Sequence, residues 1–229
     1  SLRRQTMRGS HRSGKSQEGR GDPGVGARGW ERLSASERLS SQLEFLVEVD
    51  RLKEITRQTD LMSGNRKENS AEHCWHLAMM AMVLSEHHDG DIDLPKVMQM
   101  VLLHDVVEID AGDTFCYDEE GAKNKTQREM QAADRLFGLL PRDQGERFRA
   151  LWEEFERGES PEARFAAALD RVMPLLHNYF TQGGSWEEHG IVRSQVMERS
   201  GPIQRSSQSL WELTLSVVDE AVRCGYLSE

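Results

Sequence analysis

Long apolar runs are missing from this sequence, and no stretch approaches the roughly 18 residues that a membrane-crossing helix requires. No apolar segment follows the basic start Ser1-Leu2-Arg3-Arg4, so a secretory leader is not expected. Cysteine is scarce as well. Cys74, Cys116 and Cys224 are odd in number, widely spaced and free of any C-x-x-C pair. They read as reduced thiols of a cytoplasmic protein, not as a disulfide frame or a zinc site. Alternating β-branched runs between turn signals are also lacking, so no strand is expected and the fold class is all-α. Positive charge is in deficit, with 29 Lys and Arg against 39 Asp and Glu for a net charge of -10. Residues 1–29 hold seven Arg or Lys against two acids, a local +5 that leaves the remaining chain at -15. So acidic a body repels a phosphodiester backbone, which excludes a nucleic-acid polymer as partner. An anionic substrate would have to be small and met by a few local cations.

What is present divides into two parts. Residues 1–32 form a basic Gly/Arg-rich tail, expected to be disordered because it has almost nothing apolar to bury. Within it, Gly9-Ser10-His11-Arg12-Ser13-Gly14-Lys15-Ser16 satisfies the P-loop pattern. That motif works between a buried strand and a helix, and its flanks here supply neither. Residues 33–229 read as one compact multi-helix domain. Ser34-Ala35-Ser36-Glu37 is a capping box ahead of a stripe through Leu39, Leu43, Leu46, Val47 and Leu52. Further helices are expected over 70–88, from 93 through His104-Asp105 to just before Gly112, and over 125–140, 144–157, 161–181, 186–199 and 206–224. Ser160-Pro161-Glu162 combines an N-cap, a proline at the first helical position and an acid on the helix dipole.

Chemistry concentrates at His104-Asp105, which ends the apolar run Val97 to Leu103. A helix-end salt bridge would account for such a pair, and so would a bound cation. Other residues favour the cation. Glu108 follows at helical spacing from both, Glu72-His73 opens an earlier helix, and Asp170 interrupts the apolar run Phe165 to Leu176. Two histidines and two carboxylates make a mixed N/O donor set suited to a borderline divalent ion. His76, one turn beyond His73, competes with it as the ligand.

The segment Asn65-Arg66-Lys67-Glu68-Asn69-Ser70-Ala71-Glu72-His73, then His104-Asp105-Val106-Val107-Glu108 with Gly112-Asp113, then Leu169-Asp170, resembles the HD-domain superfamily. Within it, the chain is similar to the small stand-alone HD proteins related to 5′-deoxynucleotidases, over roughly residues 42–181. The resemblance implies an HD-domain helical bundle with one divalent ion (Mn, Co, Fe, Ni, Zn or Mg) held by His73, His104, Asp105 and Asp170. It implies a proton-handling role for Glu108, a phosphate contact for Arg57 and a sugar contact for Asp113. The implied activity is release of phosphate from a small phosphate ester, foremost a (deoxy)nucleoside 5′-monophosphate. Two other readings stay open: HD phosphodiester or pyrophosphate-ester cleavage on a signalling nucleotide, and a silent nucleotide- or protein-binding module. The sequence departs from the pattern at Gln58, where some members carry Trp, and at Thr114-Phe115-Cys116-Tyr117, where prolines are common. Arg57 also admits a plainer reading as an exposed helix-end cation. The resemblance implies a homodimer, for which Trp186, Trp211 and the methionines are interface candidates.

Overall fold

The computed structural model of the chain describes residues 35–229. The basic tail, its P-loop pattern and the expected Ser34 cap therefore lie outside the described residues. Helix α1 (Glu37–Asp50) starts instead on Ser36, whose hydroxyl accepts from Leu39 N. Only Phe45 of α1 is fully buried; of the expected stripe, Leu39 and Leu46 face outward, Leu43 and Val47 are half-buried, and Leu52, just after the helix, is buried.

The expectation of no strand is wrong in one place. After a 3-10 turn over Arg51–Glu54, β1 (Thr56–Asp60) pairs antiparallel with β2 (Lys67–Asn69), with an irregularity between the Thr56–Asn69 and Asp60–Lys67 pairs. Both strands are polar, which hid them from a search for apolar alternation, yet they bury Thr59 and Glu68. Asn69 then caps α2 (Ser70–Leu84), accepting from Glu72 N while the Glu72 carboxylate accepts from Asn69 N. Such a reciprocal cap stabilises a helix start by about 0.5–2 kcal/mol and sets the first turn, where His73 stands.

Helix α3 (Leu94–Leu103) is started by Asp93 and Pro95. It gives way at His104 to tight turns that lead into the short α4 (Glu108–Ala111), closed by Gly112 at φ 75°. Next come α5 (Glu119–Ala122), α6 (Lys125–Gly138) and α7 (Arg142–Arg157). The long α8 (Pro161–Phe180) follows, with Pro174 in its interior. The helix expected over 186–199 is two, α9 (Gly184–His189) and α10 (Arg193–Ser200). Gly190, left-handed at φ 62°, ends the first of them. A 3-10 turn over Gly201–Arg205 leads into α11 (Gln208–Arg223).

Helices α2, α3 and α8 share one core through Leu77, Ala81, Val97, Met100, Phe165 and Leu169. Phe45, Leu103, Val106, Leu136, Phe137 and Trp152 form a second, on the α1–α6–α7 side. Leu175, Trp186, Ile191, Val218 and Leu227 form a third around the C-terminal helices. The polar residues predicted to carry chemistry follow one another at the seams: His104 and Asp105 between Val101 of the first core and Val106 of the second, Asp170 just after Leu169.

Candidate metal centre

His73 is completely buried. Its Nδ1–H points at Glu68 Oε2, 3.1 Å away, which turns Nε2 toward Asp170 Oδ1 at 3.1 Å and Asp105 Oδ2 at 3.8 Å. His104 is arranged in the same way. Its Nδ1–H donates to the Val101 carbonyl at 2.9 Å, and its Nε2 lies 3.1 Å from Asp105 Oδ1 and 3.7 Å from Asp170 Oδ1. Each ring thus presents a lone pair to carboxylate oxygens, a repulsive arrangement unless a proton or a cation lies between them. The buried His104 Nε2 makes no hydrogen bond among the described residues. An unsatisfied buried polar atom costs about 1–3 kcal/mol, so its position calls for a partner. The donor set meets the requirement for a divalent ion: atoms of His73, His104 and Asp170 lie within 4.8 Å of one another, and His104 and Asp105 belong to an overlapping group.

The charges agree. Glu68, Asp105, Glu108, Asp113 and Asp170 surround one arginine, Arg57, whose Nη1 donates to Asp105 at 2.6 Å and lies 4.0 Å from Glu108. Arg57 is on β1 and largely buried, not on an exposed helix end. One guanidinium does not balance five acids, and a divalent cation would supply two more positive charges. Burial alone would raise the Asp170 carboxyl, but the neighbouring His104 and His73 rings hold it well below the usual range. Burial likewise opposes ionisation of Asp105, and the charges of His104 and Arg57 overcome it. Glu108 goes the other way: burial, reinforced by the Asp105 charge, pushes it well above the usual carboxyl range. Burial also raises Asp113.

These groups open onto a cavity of about 520 Å³ lined by Arg57, His104, Asp105, Glu108, Asp113 and Asp170. His73 stands behind them. All seven predicted site residues therefore meet in one place, contributed by β1, α2, the turns after α3, α4 and the loop after it, and α8. His76, the competing ligand, belongs to a separate group with Glu68 and His177. Two contributors escaped the sequence reading: Glu68, which orients His73, and Ser70, whose hydroxyl donates to Glu108 Oε2 at 2.6 Å. For the first, the sequence offered only an acid five residues before a candidate ligand, in a polar run that gave no sign of burial; none marks Ser70. Phe115, Tyr117 and Trp186 add an aromatic wall. Trp186 is only 3% exposed and is a core residue, not an interface candidate, and Trp211 packs partly against the first core.

A helical bundle with paired histidines and aspartates at its core seam defines a family, and the HD domain model matches residues 49–211: the chain belongs to the HD domain family. It is 33% identical over 138 residues to the 5′-deoxynucleotidase HDDC2 of Homo sapiens, covering 59% of this chain and 66% of that protein. With the Mus musculus protein of the same name it shares 31% over 145 residues, 63% of this chain and 71% of that one. Thus the chain spans slightly under two thirds of the human relative's length. Among solved structures, a predicted metal-dependent phosphohydrolase from Magnetospirillum magnetotacticum MS-1 is 50% identical with a TM-score of 0.81. That match covers 84% of this chain and 96% of the other. An HD-domain phosphohydrolase from Listeria innocua, at 15% identity and a TM-score of 0.52, shares the fold, over 78% of this chain and 99% of its own.

Proposed function

We propose that this chain is a metal-dependent phosphomonoesterase releasing phosphate from a nucleoside 5′-monophosphate, foremost a deoxynucleotide. The observation that carries the reading is the buried, unpartnered His104 Nε2 among carboxylates at the mouth of the cavity. In this reading His73, His104, Asp105 and Asp170 hold one divalent ion, and Glu68 and the Val101 carbonyl fix the ring tautomers. The imidazole nitrogens favour Mn, Fe, Co, Ni or Zn over Mg. When bound, the ion supplies Lewis acidity to the phosphoryl group.

The protein's own groups do the rest. Arg57 offers its planar fork to phosphate oxygens at the cavity wall. Glu108, whose burial favours the protonated form, gives that proton to the departing alkoxide as water adds to phosphorus, while Ser70 steadies the carboxyl. Asp113 meets a sugar hydroxyl, and Phe115 and Tyr117 offer faces to the base. The relatives named 5′-deoxynucleotidase support the substrate class. Metal analysis of the purified protein, then phosphate release across nucleoside monophosphates and cyclic dinucleotides, tests it. Turnover of cyclic dinucleotides alone would move the assignment to a phosphodiesterase, and no turnover of any of them would leave a binding module.

Residues 33–229 act in this reading as one unit, in the reducing cytoplasm. Free Cys74, Cys116 and Cys224 fit that setting, and among the described residues no helix is long and apolar enough to cross a membrane. The unit pairs as a homodimer through the outer face of α2. Trp75, Met79, Met82 and Val83 recur there at helical spacing, and Trp75 is 62% exposed.

A further inference from the structure

Besides the carboxylates and Arg57, the cavity is lined by a further set of arginines. Arg164 and Arg171 stand two turns apart on α8, Arg199 is on α10, and Arg205 is in the 3-10 turn after it; all four line the same cavity. Elsewhere on this acidic protein a guanidinium generally has a carboxylate to itself, as Arg38 has Asp143, Arg66 has Glu72 and Arg193 has Asp219. Here that pattern fails. Arg164, Arg171 and Arg205 enter no ion pair among the described residues, and the carboxylate facing Arg199 is Asp170, at 3.7 Å, which the metal centre claims. Arg171 is held in place without being neutralised: its Nε donates to the Arg199 carbonyl at 3.1 Å and its Nη1 to the Ala167 carbonyl at 2.7 Å. Carbonyls fix a guanidinium's direction and leave its charge in place. Like charges gathered around one cavity, in a body with a net excess of acids, cost free energy in the free protein that an anion would recover.

We infer that Arg164, Arg171, Arg199 and Arg205 form a second anion subsite, so that a nucleotide carrying a further phosphate besides the one that is cleaved is held more tightly than the simple 5′-monophosphate. The inference rests on the phosphohydrolase reading for its first phosphate. Arg199, beside Asp170, suits a phosphate attached to the scissile one, whereas Arg164 and Arg205 suit one across the sugar. Planar guanidinium forks match phosphate oxygens in either position.

The test compares a nucleoside 5′-monophosphate with the matching 5′-diphosphate and 3′,5′-bisphosphate, on the metal-loaded full chain. Binding is read by calorimetry and turnover by phosphate release. One of the two doubly phosphorylated compounds is expected to bind at least about tenfold more tightly than the monophosphate, the effect of one charge-assisted hydrogen bond. In the double variant R164Q/R205Q, at side chains partly open to solvent and off the apolar cores, the affinity ratio should fall toward one. Circular dichroism would establish that the variant is folded. Equal affinities in the wild type, or a preference that survives the double variant, would overturn the subsite. Preferential binding without phosphate release would overturn the hydrolase reading and leave the subsite standing.

Discussion

The ring of His73 is gripped from behind: its Nδ1–H faces Glu68 Oε2 at 3.1 Å, in a place where both side chains are almost wholly buried. A carboxylate behind a ligating imidazole fixes the tautomer and raises the basicity of the nitrogen that faces the ion. Glu68 reaches this position because β2 pairs with β1, so a three-residue strand without one apolar side chain controls the first ligand.

Replacing Glu68 with Gln should therefore weaken metal affinity by about 10- to 100-fold while the helical content is retained. Competition with a chromophoric chelator measures it. Unchanged affinity would mean that the Glu68 contact is packing alone.

Losing a ligand itself should be more severe. His104→Ala and Asp105→Ala should each abolish bound metal and phosphate release together, because the site loses one of four donors. Elemental analysis of each variant settles the matter, and full occupancy in either would dissolve the proposed centre.

Glu108→Gln separates chemistry from binding. The variant should keep its metal and lose turnover by a factor on the order of 10² or more. Burial raises the Glu108 pKa, and only the protonated carboxyl can donate, so wild-type turnover should fall as pH rises through that raised value. The amide has no such titration, and the alkaline limb should be absent from its pH profile. Metal loss in this variant would make Glu108 a ligand instead.

Pairing through α2 predicts a solution mass of two chains by light scattering, reduced to the 26.1 kDa of one by Trp75→Glu. A wild-type mass of one chain at every concentration would leave the α2 stripe without a partner.

Removal of residues 1–29 should leave melting and turnover nearly unchanged, since that stretch has almost no apolar surface to contribute. Nucleotide binding that disappears with Lys15→Ala would instead restore the P-loop.

The candidate ligands stood out because charge inside an apolar helical run is costly, and His104, Asp105 and Asp170 each interrupt one. The all-helical class was legible from periodicity, within a residue or two for α7 and α8. The hairpin was not. Thr56-Arg57-Gln58-Thr59-Asp60 owes its strand conformation to pairing with Lys67–Asn69 and to Arg57 reaching Asp105, contacts made across the fold and invisible in local pattern. The break between α9 and α10 was marked by Gly190, which a pattern of apolar spacing alone passes over. The leucines of α1 misled for the opposite reason: periodicity says that a helix has an apolar face without saying what covers it.

His73 and Asp170 meet although they lie 97 positions apart, with His104 and Asp105 between them in the chain. During synthesis, then, the first three donors leave the ribosome well before the fourth. The nascent chain carries an incomplete cage until α8 has emerged and docked. Ion capture thus reports on completion of the whole bundle, and a chain halted before residue 170 would be one carboxylate short of holding its ion.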